Sequence, residues 1–267
     1  RLDELIQEFC PAGVKHKAIS EIATVSRGQV MSKNYLRDNA GEYPVYSSQT
    51  ENDGMLGKIN TYMFEGEYLT WTTDGANAGT VFYRNGKFSV TNVCGVVTVT
   101  DKNVNIKYLF YALNREAPNY VNKGMGNPKL MSNVMGKIRV PVPPIEVQRE
   151  IVRILDNFTE LTAELTAELT AELTARKKQY EFYRDTLLDF AGNTDVKNVP
   201  LGDIAKFVYG YTDKAKETGS VRFVRITDIS EDGRLNPYDA KYVELTDESK
   251  KYLLKKGDLL LARTGAT

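Results

Sequence analysis

The 47 residues from Ile145 to Ala191 contain neither proline nor glycine. Apolar residues recur there at Ile151, Ile154, Leu155, Phe158, Leu161, Leu165, Leu169 and Leu173, then at Tyr180, Tyr183, Leu187 and Leu188. That spacing is helical. Such a helix would be about 70 Å long at 1.5 Å per residue. One small domain cannot bury that length, so part of it must pack on another long helix or on a partner. The stretch Ile138-Arg139-Val140-Pro141-Val142-Pro143-Pro144 stiffens the chain ahead of it, and Pro144 suits a helix start because its missing N–H costs nothing there. Gly192 is the expected C′ stop. Inside the helix lies a tandem tetrapeptide, Thr-Ala-Glu-Leu, at Thr162–Leu165, Thr166–Leu169 and Thr170–Leu173. Four residues turn about 400°, so each Leu advances roughly 40° and the apolar stripe winds slowly. A perfect repeat of this kind gains or loses a unit without breaking helix or frame, which suits a spacer of adjustable length.

The segments on either side are of another kind. Residues 14–140 alternate short β-rich runs with turns. The runs include Tyr43–Tyr46, Tyr68–Trp71, Thr80–Tyr83 and Cys94–Val99. Asn52-Asp53-Gly54, Asp74-Gly75 and Asn85-Gly86 favour turns, since Gly and Asn tolerate positive φ. Arg84-Asn85-Gly86-Lys87 reads as a hairpin, and Ile106–Asn114 as a short helix. Val14–Ala23 is echoed by Val196–Ala205 at a constant offset of 182, and Gly28 falls on Gly210. Gly66–Leu69 is echoed by Gly257–Leu260, and Thr73 loosely by Thr264–Thr267. The expected class is α+β: a mixed α/β domain (residues 1–143), a long coiled-coil spacer helix (144–192) and a partial second domain of the first kind (193–267).

A hydrophobic fraction of 42% supports a packed core, and the 16 Tyr and 10 Phe argue against disorder. No apolar run approaches a membrane span, and the N-terminal residues lack a secretion signal's core. Cys10 and Cys94 follow no motif spacing and read as free thiols in a reducing compartment, the cytoplasm. Net charge is zero, but its distribution is uneven. Residues 1–143 hold 16 Lys/Arg against 13 Asp/Glu, residues 144–191 hold 6 against 10, and the remainder 13 against 12. No metal-ligand spacing, phosphate loop or dinucleotide loop is present. The single His16 lies in a Lys-rich stretch and reads as a surface residue. No (Asn/Asp)-Pro-Pro-(Tyr/Phe) methyltransferase motif occurs, so a non-catalytic chain is expected.

The Pro-rich stretch Ile138–Pro144 with Ile145-Glu146-Val147-Gln148-Arg149-Glu150-Ile151-Val152 resembles the junction of type I restriction-modification specificity subunits (HsdS). So do the Thr-Ala-Glu-Leu units followed by Arg176-Lys177-Lys178-Gln179-Tyr180 and Tyr183-Arg184-Asp185. Tyr43–Ser48, the Gly54–Gly57 turn and Gly75–Tyr83 resemble that family's target-recognition domains. The resemblance implies two recognition domains, each reading one half of a split site on double-stranded DNA, held apart by two antiparallel helical regions. It implies modification subunits (HsdM) that bind S-adenosylmethionine and methylate adenine, and a restriction subunit (HsdR) that uses ATP and Mg. No cofactor is expected on this chain itself. It further implies that the number of tetrapeptides tunes the gap between half-sites. Geometry agrees: a unit adds about 6 Å and 40°, and a base pair about 3.4 Å and 34–36°. A complete second recognition domain and second long helix are not among these residues. Two copies paired through the long helix, presenting two first domains to a symmetric target, would supply the missing half. The rival readings are a coiled-coil adaptor without a DNA role and an orphan recognition arm of a fused restriction-methyltransferase.

Base edges are read by hydrogen-bonding side chains, and phosphates are held by Lys and Arg. Three polar turn segments fit. The first carries Ser47, Ser48, Gln49 and Asn52, with Lys58 and Asn60 following. The second carries Thr72, Thr73, Asp74 and Asn77, beside Trp71, which itself reads as core. The third, Lys123–Lys129, is flexible and basic and offers Lys123, Asn127 and Lys129. Gln148, Arg149 and Arg153, with Leu161, Leu165, Leu169 and Leu173, are the expected partner-docking residues. Glu160, Glu164, Glu168 and Glu172 read as a solvated helix face.

Overall fold

A computed structural model describes the chain except Met125, Asn193, Thr194, Glu231 and residues 263–267. The loose echo of Thr73 at Thr264–Thr267 lies outside the described residues, as does Met125 of the third polar segment. In chain order the elements are α1 (Leu2–Phe9), β1 (His16–Ala18), α2 (Ile19–Ile22), β2 (Ala23–Arg27), α3 (Lys33–Asp38), β3 (Ala40–Tyr46), β4 (Met55–Ile59), β5 (Phe64–Thr72), β6 (Val81–Val90) and β7 (Cys94–Val99). Then come α4 (Ile106–Glu116), α5 (Ser132–Met135), β8 (Arg139–Pro141), α6 (Ile145–Leu188), α7 (Leu201–Ile204), β9 (Val221–Phe223) and β10 (Lys241–Val243). Contacts divide the chain into Arg1–Phe182 and Tyr183–Thr267.

Six strands form one sheet in the order β2-β7-β5-β6-β3-β4. Neighbours are antiparallel except β3 and β6, which run parallel. The β-rich runs of the sequence fall in these strands, except that Thr80 precedes β6. The hairpin at Arg84–Lys87 does not form. Those residues lie inside β6, whose ladder with β5 continues from Trp71↔Val81 to Phe64↔Phe88. Asn85-Gly86 serves a bend instead of a turn. Phe88 and Val90, at the far end of the ribbon, pack on Cys94 and Val96 of β7, and β7 pairs with the near end of β5. The β5–β6 ribbon therefore curls back on itself. Gly66 and Gly86 face each other at the bend with φ of 119° and 109°, a region closed to most side chains. The true β6–β7 turn is Thr91-Asn92-Val93.

Ile19 and Ile22 of α2, Leu69 and Trp71 of β5, Leu109 and Leu113 of α4, and Leu130, Met135, Ile138 and Val140 are fully buried in one core. Trp71 is core, as expected, and its indole N–H donates to the Leu130 carbonyl at 2.9 Å. Gly95 lies flat under that ring, where any Cβ would overlap it. β1 pairs with β8, which closes the domain immediately before α6 begins. The helix spans 44 residues and ends at Leu188, short of Ala191. Gly192 has φ of 82° but sits in the turn beyond and is not the C′ cap. Among the described residues no helix is long and apolar enough to cross a membrane. Cys10 and Cys94 are free and buried.

The unit that begins at Tyr183 holds an antiparallel pair, β9 with β10. Its α7 lies 182 residues after α2 at both ends, matching the sequence echo. Both helices leave into extended backbone, at Ala23 and at Ala205. Their surroundings differ. Ile19 and Ile22 are inaccessible, whereas Leu201 and Ile204 are 61% and 70% exposed. Gly257 keeps the positive φ of Gly66, but residues 258–262 after it form no strand.

Candidate nucleic-acid interface

The polar segments are far apart in sequence, and three strand-end turns plus one long loop bring them together. Ser48, after β3, is the knot. Its hydroxyl donates to the Val93 carbonyl and accepts from the N–H groups of Thr73 at 3.0 Å and Asp74 at 3.3 Å. Asn77 Nδ2 donates to Thr50 Oγ1 at 2.9 Å, tying the β5–β6 loop to the β3–β4 loop. Asp74 makes an isolated bridge with Lys129, and the Gly75 N–H reaches the Pro128 carbonyl at 3.1 Å. Leu130 N–H donates to the Thr73 carbonyl at 2.8 Å. All three segments predicted from sequence thus share one surface, joined by the β6–β7 turn.

The side chains within them are not equivalent. Gln49, half-buried, spends one amide N–H on the Met55 carbonyl at 2.6 Å and keeps its Oε1. Asn52 stands exposed at the loop tip with φ of 50°. Asn77, Lys123, Asn127 and Lys129 are exposed, and Asp74 is half-buried. Ser47 accepts from the Thr91 hydroxyl at 3.0 Å. Thr72 and Thr73 are placed otherwise than expected: both are buried. The Thr72 hydroxyl donates to the Asn77 carbonyl and accepts from Thr80 N–H at 3.1 Å, and the Thr73 hydroxyl donates to Val93 at 2.9 Å. They brace the loop and present nothing to a ligand. Lys58 and Asn60 stand apart from the cluster. Lys58 is exposed on edge strand β4 opposite Pro44, and Asn60 follows that strand, bonded to the Asn39 carbonyl at 2.9 Å.

Lys58, Lys123 and Lys129 have no ion-pair partner among the described residues. Their charges are therefore available to an anion. The Thr73 hydroxyl, 3.2 Å from the Asp74 carboxylate, shares its single proton between that carboxylate and the Val93 carbonyl. A carboxylate flanked by free lysines matches a base edge with an amino donor, such as cytosine N4, next to phosphates.

Sequence reasoning missed two residues here. Asn92 is exposed in the β6–β7 turn of this same cluster, hidden because the turn had been assigned to Asn85-Gly86. Arg84 is 3% exposed. Its guanidinium lies 3.6 Å from the Tyr46 ring centroid and 4.5 Å from that of Phe82, bonds Thr70 Oγ1 at 3.1 Å, and pairs with the carboxylate and carbonyl of Asp53. It fixes the Asn52–Asp53 tip from below.

At the other end of the domain, Gln148 is wholly inaccessible. Its Nε2 donates to the carbonyls of Asn103 at 2.8 Å and Pro143 at 2.7 Å, and its Oε1 accepts from Asn105 N–H at 2.8 Å. Asn105 is the N-cap of α4, so one amide fastens α6 to α4. The expected docking role for Gln148 gives way to this clasp. Arg153 is committed to Glu150 by two bonds of 2.8 and 2.9 Å, while Arg149 is exposed. Two turns along α6, Asp156 accepts from Lys107 at 2.7 Å and Tyr111 at 2.6 Å. Burial alone would raise its pKa, but these bonds and the Lys107 charge outweigh burial and hold the carboxyl below the ordinary aspartate range. Beyond that point Leu161, Leu165, Leu169 and Leu173 are each more than half exposed.

The family model described as a type I restriction modification DNA specificity domain matches residues 11–175. A putative type I specificity subunit of Mycoplasma pneumoniae (strain ATCC 29342 / M129 / Subtype 1) is 46% identical over 190 residues, covering 70% of this chain and 51% of that protein. The N-terminus of another such subunit from the same organism is 50% identical over 180 residues, covering 66% of this chain and 96% of that protein. The type I restriction enzyme MpnII specificity subunit is 44% identical over 172 residues, covering 64% and 52%. The chain thus spans about half the length of the first and third. In fold it is similar to the S subunit of a type I restriction-modification system from M. genitalium, with TM-score 0.50 at 15% identity over 66% of this chain and 46% of that one.

Proposed function

The chain belongs to the type I restriction-modification DNA specificity family, and from that membership we propose that its first domain reads one half of a bipartite site on double-stranded DNA. The observation that carries this reading is the convergence of the polar loops around Ser48 on one surface with unpaired lysines. Gln49, Asn52, Asp74, Asn77, Asn92 and Asn127 face the bases; Lys123 and Lys129 hold phosphates; Lys58, down the edge strand, holds a phosphate farther along. Nothing in this division of labour requires chemistry from the chain itself. Methylation and cleavage belong to modification and restriction subunits, which carry S-adenosylmethionine, ATP and Mg, and the assembly acts in the cytoplasm. The root of α6, with Arg149 exposed and Gln148 locking its direction, carries the modification subunit. A second copy, paired through α6, presents the second reading head. An adaptor without a DNA role fits less well, because it has no use for a rigidly braced cluster of polar side chains and unpaired lysines.

A gel shift with the purified chain and its modification subunit tests the reading. Binding to a duplex carrying the target should weaken steeply as salt rises. Absence of binding to any genomic duplex at low salt overturns it.

A further inference from the structure

On α6, at 100° per residue, Phe158, Thr162, Leu165, Leu169, Leu173 and Tyr180 fall within about 40° of one line along the helix, with Arg176 between the last two. The steps between these seven are four, three, four, four, three and four residues. Alternating threes and fours is the heptad seam of a coiled coil. The doubled four at Leu165-Leu169-Leu173 is a stutter, a four-residue insertion that locally unwinds the supercoil, and it coincides with the tetrapeptide array. The series also reads the same in both directions about Leu169. In the sequence the symmetry extends outward through Leu155 with Tyr183 and Ile151 with Leu187.

A seam that is its own mirror has a specific partner. In a two-fold interface, residue i meets j and j meets i, so an antiparallel pair of identical helices needs a palindromic seam. A helix of different sequence places no such demand. We infer that α6 pairs with α6 of a second copy of this chain, antiparallel, with the two-fold axis through Leu169. Leu165 then faces Leu173, Phe158 faces Tyr180, and Thr162 faces Arg176. Phe158, Leu165, Leu169 and Leu173 are 65%, 56%, 58% and 57% exposed in the single chain. The polar layer fits as well. The Thr162 hydroxyl donates to the Phe158 carbonyl at 2.7 Å, which leaves its methyl outward. The Arg176 head is drawn to the flank by Gln179 and Glu172, at 3.1 and 3.4 Å, so its aliphatic stem lies across that methyl. Each unit gained adds one stutter, and removal of one unit leaves uninterrupted heptads.

The inference rests on the proposed pairing of two copies and fixes its register. Variants of the full chain that each add one cysteine test it without DNA; Cys10 and Cys94 are buried, and the unsubstituted chain is the blank. Under mild oxidation Leu169→Cys should cross-link with itself, while Leu165→Cys and Leu173→Cys should cross-link only when mixed. Self-linking of Leu165→Cys overturns the antiparallel register. A monomer by light scattering at micromolar concentration overturns the pairing. Leu169→Glu is the second check: loss of the dimer with helicity retained supports the axis, and an unchanged dimer refutes it. Cross-links with no DNA binding would sink the reading of DNA and leave the pairing intact; DNA binding by a monomer would do the reverse.

Discussion

Gln148, itself closed to water, satisfies two carbonyls and one N–H, so Gln148→Ala leaves three backbone groups without that partner, the Pro143 carbonyl among them buried. The expected loss is about 2–4 kcal/mol of stability, read from urea unfolding; a mere docking residue would leave the midpoint unchanged. Gly95→Ala forces a methyl into the Trp71 ring, and overpacking of this kind should cost about 3 kcal/mol. Lys123 and Lys129 belong to the other class. Changing both to Gln should leave unfolding untouched and lower the slope of log K against log salt by about 1.8. Residue identity in the sequence separated these classes poorly. Thr72, Thr73 and Gln148 are as polar as Asn77 or Asn52, and only the fold shows that their hydrogen bonds are spent inward.

The clamp of Asp156 with Lys107 and Tyr111 sets the direction in which α6 leaves the domain. Because the folded carboxyl is held below its ordinary value, the clamp contributes fully above the unfolded pKa of about 3.9 and fades as pH falls through the lower folded value. Hydrogen-exchange protection at the root of α6, corrected for the intrinsic rate, should therefore fall in the wild type below pH about 4. Asp156→Asn should exchange faster at neutral pH and show little further change in acid. Elements with local causes were legible in the sequence. The long helix follows from periodicity and α4 falls on the short helix expected at Ile106–Asn114, while the echo of Val14–Ala23 at Val196–Ala205 anticipates that α7 matches α2 but not that either is helical. The bend in β6 was not, because Asn-Gly supplies positive φ equally to a turn and to a curled strand, and only the partner strand decides. That same ambiguity concealed Asn92. The meeting of the loops was likewise illegible, since it depends on a ribbon that folds back across the sheet.

For the whole molecule, the proposed pairing makes the spacing of two reading heads follow the length of α6. One added Thr-Ala-Glu-Leu unit should widen the gap in the methylated site by one base pair, given about 6 Å and 40° per unit; methylome sequencing of cells carrying the lengthened gene reads this directly, and an unchanged gap refutes it. The array tolerates such changes for a reason visible in its hydroxyls. Thr162, Thr166, Thr170 and Thr174 each donate to the carbonyl four residues earlier, at 2.7 or 2.8 Å. The hydroxyl of every unit is thus answered by the turn before it, and its glutamate stays in solvent. On the proposed reading, a single slip in copying the gene would then give its carrier a new address on its own chromosome, with no intermediate generation burdened by a misfolded protein.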